Sequence, residues 1–503
     1  MANPLYDRLF GIHAGKDTPF LHLPDGEVIT HAAFLDMAAR LANTLVGYEL
    51  EPGDRVAVQI EKSPEALALY AACAQAGLVF LPLNTAYTVN ELTYFIENSG
   101  ASLVVCDDAN QTALAPLAKM QEARLETLNA DGSGSLMRRA LGMLPAFEPA
   151  RRTEDDLAAF LYTSGTTGRS KGAMLSQANL LSNAETLVQE WRFTAEDVLL
   201  HALPIFHTHG LFVATNVVLA SGGSMIFLPK FDLNDVLRLM PQATSMMGVP
   251  TFYTRLLGDD RFTGDLAQHM RLFISGSAPL LAETHERFET RTGHRILERY
   301  GMTETNMNTS NPYDGERRAG TVGFPLPDVE LKVTNPESGE TLPQGEIGMI
   351  EVRGPNVFQG YWQMPKKTAA ELREDGFFIT GDLGRVDEDG YVHIVGRGKD
   401  LIISGGFNIY PKELETLLDD QPGVLESAVI GVPHPDFGET PVGLLVAEPR
   451  ATPDLDAIMA RAQAELARFK HPRKLIVLDE LPRNTMGKVQ KNALRARFAD
   501  LFT

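Results

Sequence analysis

Short apolar runs alternate with longer stretches of helical spacing along the first hundred residues of the chain. The apolar runs cover residues 55–60, 79–83 and 102–106, and residues 32–46 and 88–98 have helical spacing. Apolar strands that alternate with helices of about 12 residues are typical of a mainly parallel sheet with helices on both faces. The pattern therefore predicts an α/β fold whose large N-terminal part is built from doubly wound sheets.

One of these helices has clear signals at both of its ends. Ser63 is a suitable N-cap, and Pro64 fits the first helical position, where its missing N–H costs nothing. Gly77 suits the left-handed residue that commonly ends a helix. These residues predict a helix between Ser63 and Gly77.

The composition and the pattern of predicted elements change further along the chain. Residues 129–153 are rich in Gly, Ser, Pro and Arg, and this composition predicts a loop. Residues 323–396 contain short strand patterns separated by glycines, which predicts a small β-rich subdomain. After Lys399 helical and strand patterns alternate again, so we expect a second, smaller α/β domain.

The charge of the chain excludes some classes of protein. The 503 residues include 45 Lys and Arg against 65 Asp and Glu, which gives a formal net charge of −20. This balance argues against a protein that binds nucleic acid or a membrane surface through bulk positive charge. It leaves small anionic ligands open, because local groups hold those.

Other features of the composition predict a cytoplasmic enzyme with no membrane partner. The N-terminal residues show neither a secretory signal nor a transit peptide, and no run approaches the roughly 18 apolar residues of a membrane span. The two cysteines, Cys73 and Cys106, lie inside apolar runs, where they are expected to be small buried hydrophobes in a reducing compartment.

The densest chemical signal is the segment 162–172, with the sequence YTSGTTGRSKG, which follows a strand pattern and precedes a helical one. Its glycines let the backbone approach a polyanion, its hydroxyls and amides can bind phosphate oxygens, and Lys171 adds positive charge. The spacing is not that of a Walker A loop, because Gly172 stands where that motif needs Ser or Thr. A flexible, hydroxyl-rich loop without a ligand is the alternative.

Five motifs occur in an order that resembles the acyl-adenylate-forming superfamily, which includes acyl-CoA synthetases, luciferases and peptide-synthetase adenylation domains. They are the segments 162–172, 298–304 (ERYGMTE), 380–382 (TGD), 396–400 (GRGKD) and 482–488 (PRNTMGK). The resemblance covers essentially the whole chain. It implies an AMP-forming acid–thiol ligase that uses ATP, Mg²⁺ and CoA. A carboxylate and ATP would give an acyl-adenylate and diphosphate, and CoA would then displace AMP.

The resemblance also implies site residues at the matching positions. For the nucleotide it implies the phosphate-loop residues Thr163, Ser164, Gly165, Thr166, Thr167, Gly168 and Lys171. Further nucleotide positions are Ser277, Ala278, Pro279, Glu298, Arg299, Tyr300, Thr303, Asp382, Arg397 and Lys399, and Gly405 and Gly406 would admit the pantetheine arm of CoA. The implied Mg²⁺ ligands are Thr163 and Glu304, and the implied catalytic residues are Lys488, His207 and Glu304.

Three of these residues also have a chemical interpretation of their own. Tyr300 offers an aromatic face on which adenine can stack. Glu304 offers hard oxygen ligands for a Mg²⁺ ion that bridges phosphates, and Asp382 offers two acceptors for the ribose hydroxyls. Without the motif context, a packed core tyrosine, a surface acid and an acid in a strand-end turn are the alternatives.

Lys488 lies in a Pro- and Gly-containing loop near the C-terminus. A mobile ammonium that reaches a site for one step suits charge stabilisation at an α-phosphate, although a lysine in such a loop is ordinarily only solvated. The resemblance implies an ATP- and acyl-binding domain over residues 1–396, with its β-rich subdomain at about 323–396. It further implies a mobile lid domain over 397–503, with a hinge near 397–400. An exposed Lys488 is also a candidate for an acetyltransferase and a deacetylase, since acetylation would remove the charge.

Three residues bear on the identity of the acid. Amino-acid adenylation domains usually have Asp at the position of His207, so this histidine argues against an amino-acid substrate. Arg255 is expected about one turn into a helix, on the side that faces the acyl tunnel in the family, and Ser277 can add a hydroxyl donor. An arginine in an acyl pocket is costly unless it is paired, so it implies a second carboxylate on the substrate. A buried structural His207 and an exposed Arg255 are the alternatives.

Four segments are similar to those of malonyl-CoA synthetases: 203–216, 249–255, 275–280 and 298–312. The resemblance implies malonate, and in some members methylmalonate, as the acid. Met302 and Thr303 would then close the pocket around a short substrate. An acyl or aryl adenylation enzyme that loads a carrier protein, and a synthetase for another short carboxylate, stay open as alternatives.

Overall fold

The computed structural model describes residues 2–163, 170–404, 407–435, 437–466, 468–484 and 487–502. The chain divides into two compact units. The first consists of Met1–Glu330 and Val352–Phe378, and the second of Leu331–Glu351 and Ile379–Thr503. The predicted boundary at residues 396 and 397 differs from this division and stays a prediction.

The strands are numbered β1–β24 in chain order. They are Pro19–His22, Val28–Thr30, Arg55–Gln59, Val79–Pro82, Leu103–Cys106, Arg124–Thr127, Leu157–Thr163, Lys171–Ser176, Val198–His201, Ser224–Phe227, Ser245–Gly248, Leu272–Ser275, Leu297–Met302, Asn306–Ser310, Phe324–Pro325, Glu330–Thr334, Gly348–Arg353, Phe378–Val386, Val392–Arg397, Ile402–Ser404, Phe407–Ile409, Val424–His434, Gly438–Ala447 and Lys474–Leu478.

The α-helices are numbered α1–α16 in the same way. They are Pro4–Leu9, His31–Val46, Pro64–Ala76, Val89–Ser99, Asp108–Met120, Ser135–Ala140, Gln177–Glu190, Asn216–Ser221, Leu233–Leu239, Pro250–Leu257, Gly264–Ala267, Ala282–Thr292, Pro365–Glu371, Pro411–Asp419, Leu455–Glu465 and Lys491–Arg497. A π-helix covers His209–Thr215, and short 3₁₀ turns cover Gly11–His13, Met240–Gln242, Gly398–Asp400 and Arg468–Lys470.

The first unit contains two large sheets. One has the strand order β6-β5-β3-β4-β7-β8, and the other has the order β15-β14-β13-β12-β11-β9-β10-β1-β2. Neighbouring strands from β3 to β6 run parallel, and helices α3, α4 and α5 connect them along the chain. All four residues of β4 and of β5 are buried, as expected for strands covered on both faces. The predicted α/β class is confirmed.

Helix α3 has the predicted ends. The Ser63 hydroxyl accepts a hydrogen bond from the amide of Ala66 at 3.1 Å, and Pro64 opens the helix. Gly77 ends it in the left-handed conformation, with a φ of 74°. The caps satisfy backbone groups that the helix itself leaves without partners, so they fix its length locally.

The expectation of a loop over residues 129–153 is wrong in part, because helix α6 lies within it. Leu136 and Ala140, four residues apart, are both completely buried. Gly134 precedes the helix with a φ of 132°, and a Cβ at this position would lie 2.3 Å from the carbonyl oxygen of Thr127. Burial of one apolar edge stabilises a short helix that the polar composition of the segment conceals.

The second unit contains most of the sheet β16-β17-β18-β19 and a sheet with the order β21-β20-β23-β22, in which β24 also pairs with β23. Strands β22 and β23 form a long antiparallel pair from Val424↔Ala447 to His434↔Gly438. Helices α14 and α15 contribute Leu414, Leu418 and Ile458 to one hydrophobic core beside this sheet. The unit is therefore a small α/β body with a core of its own. No helix among the described residues is both long and apolar enough to cross a membrane.

Candidate functional site

The residues that the sequence predicts for the site are divided between the two units. Those from Thr163 to Glu304 belong to the first unit, and those from Asp382 to Lys488 belong to the second. Seven predicted positions lie outside the described residues: Ser164, Gly165, Thr166, Thr167, Gly168, Gly405 and Gly406.

Strands β7 and β8 present the two described ends of the predicted phosphate loop. They run antiparallel, and Thr163 stands opposite Lys171. Gly172 is required next to the lysine, because a Cβ there would lie 2.2 Å from Cζ of Phe160. The amide of Trp362 donates to the carbonyl of Gly172 at 2.8 Å, so the segment around residue 361 pairs with the edge of β8.

Lys171 is buried and has protein partners. Its Nζ lies 3.1 Å from Oε2 of Glu371 and 3.0 Å from the hydroxyl of Tyr361, above whose ring it also lies at 4.2 Å. Burial tends to raise the pKa of Glu371, but hydrogen bonds from Lys367, Tyr361 and Lys171 outweigh it and lower that pKa. The lysine therefore faces an ionised carboxylate.

Glu304 lies beside the same group of side chains and is only 5% exposed. Its Oε1 lies 3.0 Å from the Tyr361 hydroxyl and 3.4 Å from Oγ1 of Thr163. Carboxylate and hydroxyl oxygens are the donors that Mg²⁺ prefers, and this ion usually takes only one or two protein carboxylates. Thr163 and Glu304 therefore fit the predicted ion. The described residues contain no group of three or more His, Cys, Asp or Glu side chains suited to a metal.

A second group of side chains forms where β12 ends beside the parallel strand β13. Gly276 and Ser277 follow β12 directly, and Ser277 has a φ of 70°, which is unusual for a residue other than glycine. A Cβ at Gly276 would lie 2.3 Å from Cζ of Arg299, so only glycine lets the guanidinium pack against this backbone. His209 lies nearby, with Nδ1 3.2 Å from the Ser277 hydroxyl.

Arg299 is the most unusual residue of the site. It is 4% exposed, and its Nε and Nη2 are buried with no hydrogen-bond partner among the described residues. Burial lowers its pKa to about 9, with Tyr253 opposing the shift. Burial and the neighbouring charge of Arg299 keep the pKa of His209 well below its usual range, so that this histidine is neutral.

Arg255 and His207 are less enclosed. Arg255 lies in the last turn of α10, is exposed, and places its guanidinium 5.8 Å from the centre of the Phe231 ring. His207 is half-buried, and its Nδ1 accepts a bond from the amide of His209 at 3.3 Å. The roles predicted for Arg255 and His207 in binding the acid stay predictions.

The other predicted residues of the first unit follow β12 or lie on and after β13. Glu298 and Tyr300 are buried, while Met302 and Thr303 are half-buried at the end of the strand. Glu298 lies 3.6 Å from Nδ1 of His285. In the segment after β12, Ala278 is half-buried and Pro279 is exposed.

In the second unit, Asp382 and Arg397 stand opposite each other on β18 and β19. Nε of Arg397 lies 2.7 Å from Oδ1 of the buried Asp382. Lys399 is exposed within a 3₁₀ turn. Lys488 is also exposed, and its amide donates to Oδ1 of Asn484 at 2.9 Å, which closes a tight turn.

Sequence reasoning missed several residues that the structure brings to the site. Tyr361 and Glu371 contact Lys171, and His209 contacts Ser277, although none of them was predicted as functional. Arg299 was predicted for the nucleotide, not as a lone buried cation. The sequence did contain one signal for this role of Arg299. An arginine in the middle of a buried strand pattern has to be paired or to bind an anion.

Comparisons with known proteins agree with the ordered motifs. Residues 12–362 match the family model of AMP-binding enzymes, and residues 413–488 match the model of the AMP-binding enzyme C-terminal domain. A feruloyl-CoA synthase from Amycolatopsis is 37% identical over 481 residues, covering 94% of each chain. A malonate–CoA ligase from Arabidopsis thaliana is 34% identical over 482 residues, covering 89% of this chain and 79% of the relative.

Among solved structures, ATP-bound MatB from Rhodopseudomonas palustris is 58% identical, with a TM-score of 0.98 over 100% of both chains. Both family models and these full-length similarities lead to one assignment. The chain belongs to the family of AMP-binding enzymes.

Proposed function

We propose that this enzyme is an ATP-dependent malonyl-CoA synthetase. It converts malonate, ATP and CoA to malonyl-CoA, AMP and diphosphate through a malonyl-adenylate. The observation that carries the choice of acid is the buried guanidinium of Arg299, whose Nε and Nη2 have no partner among the described residues.

A lone buried cation is costly in the free protein, so a ligand that supplies a carboxylate is strongly favoured there. Malonate carries two carboxylates, of which one reacts and the other remains charged. The remaining one would accept bonds from Arg299 and from the Ser277 hydroxyl, which lies beside the same backbone turn. A neutral His209 next to this pair adds no competing positive charge.

The relatives support a carboxylic acid and CoA as substrates, and they differ in the acid. The Arabidopsis relative is a malonate–CoA ligase, and the Amycolatopsis relative is a feruloyl-CoA synthase. A feruloyl group has no second carboxylate and would leave Arg299 unneutralised. Arg299 therefore favours the dicarboxylate over the aromatic acid, and methylmalonate, which has the same two carboxylates, is the nearest second substrate.

In the first half-reaction one malonate carboxylate attacks the α-phosphorus of ATP, and diphosphate leaves. The carboxylate is itself the nucleophile, so the protein needs to position and neutralise charge more than to abstract a proton. Lys171 would bind phosphate oxygens, and Thr163 and Glu304 would hold Mg²⁺, which neutralises charge on the phosphates when bound. Lys488 would contact the carboxylate and the α-phosphate.

In the second half-reaction the CoA thiol attacks the acyl carbon, and AMP leaves. We assign Asp382 to the ribose hydroxyls, Arg397 to the phosphate or ribose, and Tyr300 to the adenine. The lid would span residues 397–503, with Lys399 in its hinge, and Gly405 and Gly406 would admit pantetheine without a Cβ clash. Withdrawal of Lys488 would separate the two steps.

The decisive experiment measures diphosphate release and acyl-CoA formation over a panel of acids. We expect malonate to give the highest kcat/KM, followed by methylmalonate. Faster turnover of acetate, octanoate or ferulate would contradict the proposed acid. Replacing CoA by an acyl carrier protein separates a CoA ligase from a carrier-loading enzyme, and preference for the carrier would overturn the CoA assignment.

We further propose that acetylation of Lys488 regulates the enzyme. The side chain is exposed, as a modifying enzyme requires, and acetylation would remove the charge that adenylation uses. Mass spectrometry of the protein from cells should find acetyl-Lys488 in a fraction with low adenylation activity. Complete absence of the modification under all growth conditions would contradict this.

A further inference from the structure

The hydroxyl of Tyr361 contacts three charged groups at once. It lies 3.0 Å from Nζ of Lys171, 3.0 Å from Oε1 of Glu304 and 2.7 Å from Oε2 of Glu371. A phenol has a single proton to donate, whereas the ammonium of Lys171 has three. Tyr361 therefore accepts a bond from Lys171 and donates to only one of the two carboxylates at a time.

The single proton of the Tyr361 hydroxyl is shared between Glu304 and Glu371. The contact with Glu371, at 2.7 Å, is the shorter of the two. Glu304 and Glu371 therefore compete for this one donor. A cation on Glu304 would remove the need for that donor, and the hydroxyl could then bond to Glu371 alone.

Glu371 is placed to serve as a replaceable counter-ion. It pairs with Lys171 at 3.1 Å and also with Lys367, one helical turn earlier in α13, at 2.6 Å. If Lys171 turned to a phosphate, Glu371 would keep Lys367 and the Tyr361 hydroxyl. The carboxylate would therefore not be left buried and unpaired, which keeps the exchange inexpensive.

Backbone hydrogen bonds place Tyr361 beside β8. The amide of Met174 donates to the carbonyl of Gly360 at 3.0 Å, and the amide of Gln359 donates to the carbonyl of Met174 at 2.9 Å. Tyr361 thus continues an antiparallel pairing with β8, the strand that starts at Lys171. The tyrosine backbone is therefore hydrogen-bonded to the strand that carries the lysine.

We propose that Glu371 and Tyr361 are positioning residues that prepare Lys171 and Glu304 for Mg·ATP. Glu371 holds Lys171 until phosphate oxygens replace it, and Tyr361 orients Glu304 toward the metal and then donates to Glu371. The proposal rests on the function proposed above, because it takes Lys171 as a phosphate ligand and Glu304 as a metal ligand.

Calorimetric ATP binding, measured without any acid substrate, tests both residues. Glu371→Gln should tighten ATP binding in EDTA by about five- to tenfold, because the competing negative charge is removed. The matched control is Glu283→Gln, which removes one exposed charge from a surface pair on α12 and should leave the Kd within about twofold. Unchanged or weaker binding by Glu371→Gln would overturn the counter-ion role.

Tyr361→Phe should raise the Mg²⁺ concentration for half-maximal ATP binding by about tenfold, and leave binding in EDTA within about twofold. Tyr70→Phe removes another buried hydroxyl, which bonds Asn216 at 3.3 Å, and controls for loss of stability. An equal change with and without Mg²⁺, or the same change in the control, would overturn the orienting role. Failure of the unmodified enzyme to bind ATP would instead contradict the proposed function.

Discussion

Two of the buried basic side chains in the described part of the first unit, Lys171 and Arg299, have opposite surroundings. Lys171 is 9% exposed and pairs with Glu371, while Arg299 is 4% exposed and leaves Nε and Nη2 without a partner among the described residues. A paired cation can exchange its carboxylate for a phosphate at little cost. A lone cation stores unfavourable free energy that a bound anion releases. The difference supports the proposed roles, in which Lys171 binds nucleotide phosphate and Arg299 binds the second carboxylate of the acid.

The largest expected effect concerns a third cation, the exposed Lys488 of the second unit. Lys488→Ala should lower adenylation by about a thousandfold or more, because the proposed role places this charge at the reacting α-phosphate. Thioester formation from preformed malonyl-adenylate should be largely retained. Single-turnover assays of each half-reaction measure both, and equal losses would contradict the division of roles.

The next effect separates function from stability at Arg299. Arg299→Met should lower kcat/KM for malonate by about 30- to 1,000-fold, since a carboxylate partner is lost, and should lower that for propionate much less. Removing an unpaired buried charge should leave the melting temperature unchanged or higher. Kinetics on both acids and thermal unfolding test this.

Arg271 supplies the matched control for Arg299. It pairs with Oδ1 of the buried Asp197 at 2.6 Å, and hydrogen bonds from Arg271 and Thr244 lower the pKa of Asp197 against the effect of burial. Arg271→Met should therefore destabilise the protein by about 3 kcal/mol, because it leaves Asp197 unpaired. If Arg299→Met destabilised the protein as much, Arg299 would be a structural residue and the comparison would fail.

A smaller effect is expected at Arg255. If Arg255 were buried against the bound malonate, the change to alanine would cost about 2–4 kcal/mol in kcat/KM for malonate. The exposed side chain on α10 lowers this expectation for Arg255→Ala to about 1–2 kcal/mol in kcat/KM for malonate. The salt dependence of kcat/KM tests whether Arg255 acts as an exposed charge. Salt screens an exposed charge, whereas it does not screen the buried charge of Arg299. A loss larger than that of Arg299→Met would reverse the assignment.

The smallest effect concerns a half-buried carboxylate in the second unit, that of Asp419. Burial raises the pKa of Asp419 to about 6, from an ordinary value of 3.8. The folded state therefore holds its proton more tightly than the unfolded state, so stability is lost as the pH rises from about 4 through 6. Asp419→Asn keeps an acceptor for the Ser427 hydroxyl and should stabilise the protein by about 1–2 kcal/mol at pH 7, but little at pH 4. Thermal unfolding against pH tests this, with the exposed neighbour change Asp420→Asn as the control.

The sequence alone predicted the features that depend on local pattern. The α/β class follows from the alternation of apolar runs and helical spacing, and the ends of α3 follow from Ser63, Pro64 and Gly77, whose caps act within one turn. The ordered motifs assigned the family, because glycines, hydroxyls and a lysine at fixed spacing suit a phosphate. Helix α6 was missed, since its burial depends on contacts distant in the chain.

Tertiary structure alone decided which charges are paired. Lys171 and Glu371 are 200 residues apart, and Thr163 and Glu304 are 141 apart, so no local pattern brings them together. Arg299 was visible as an arginine in a strand, but only the parallel register of β12 and β13 places its guanidinium against Gly276. Local patterns fix helices, strands and caps through contacts within a few residues. The free energy of a buried charge depends on every neighbour that replaces water, and those neighbours come from the whole fold.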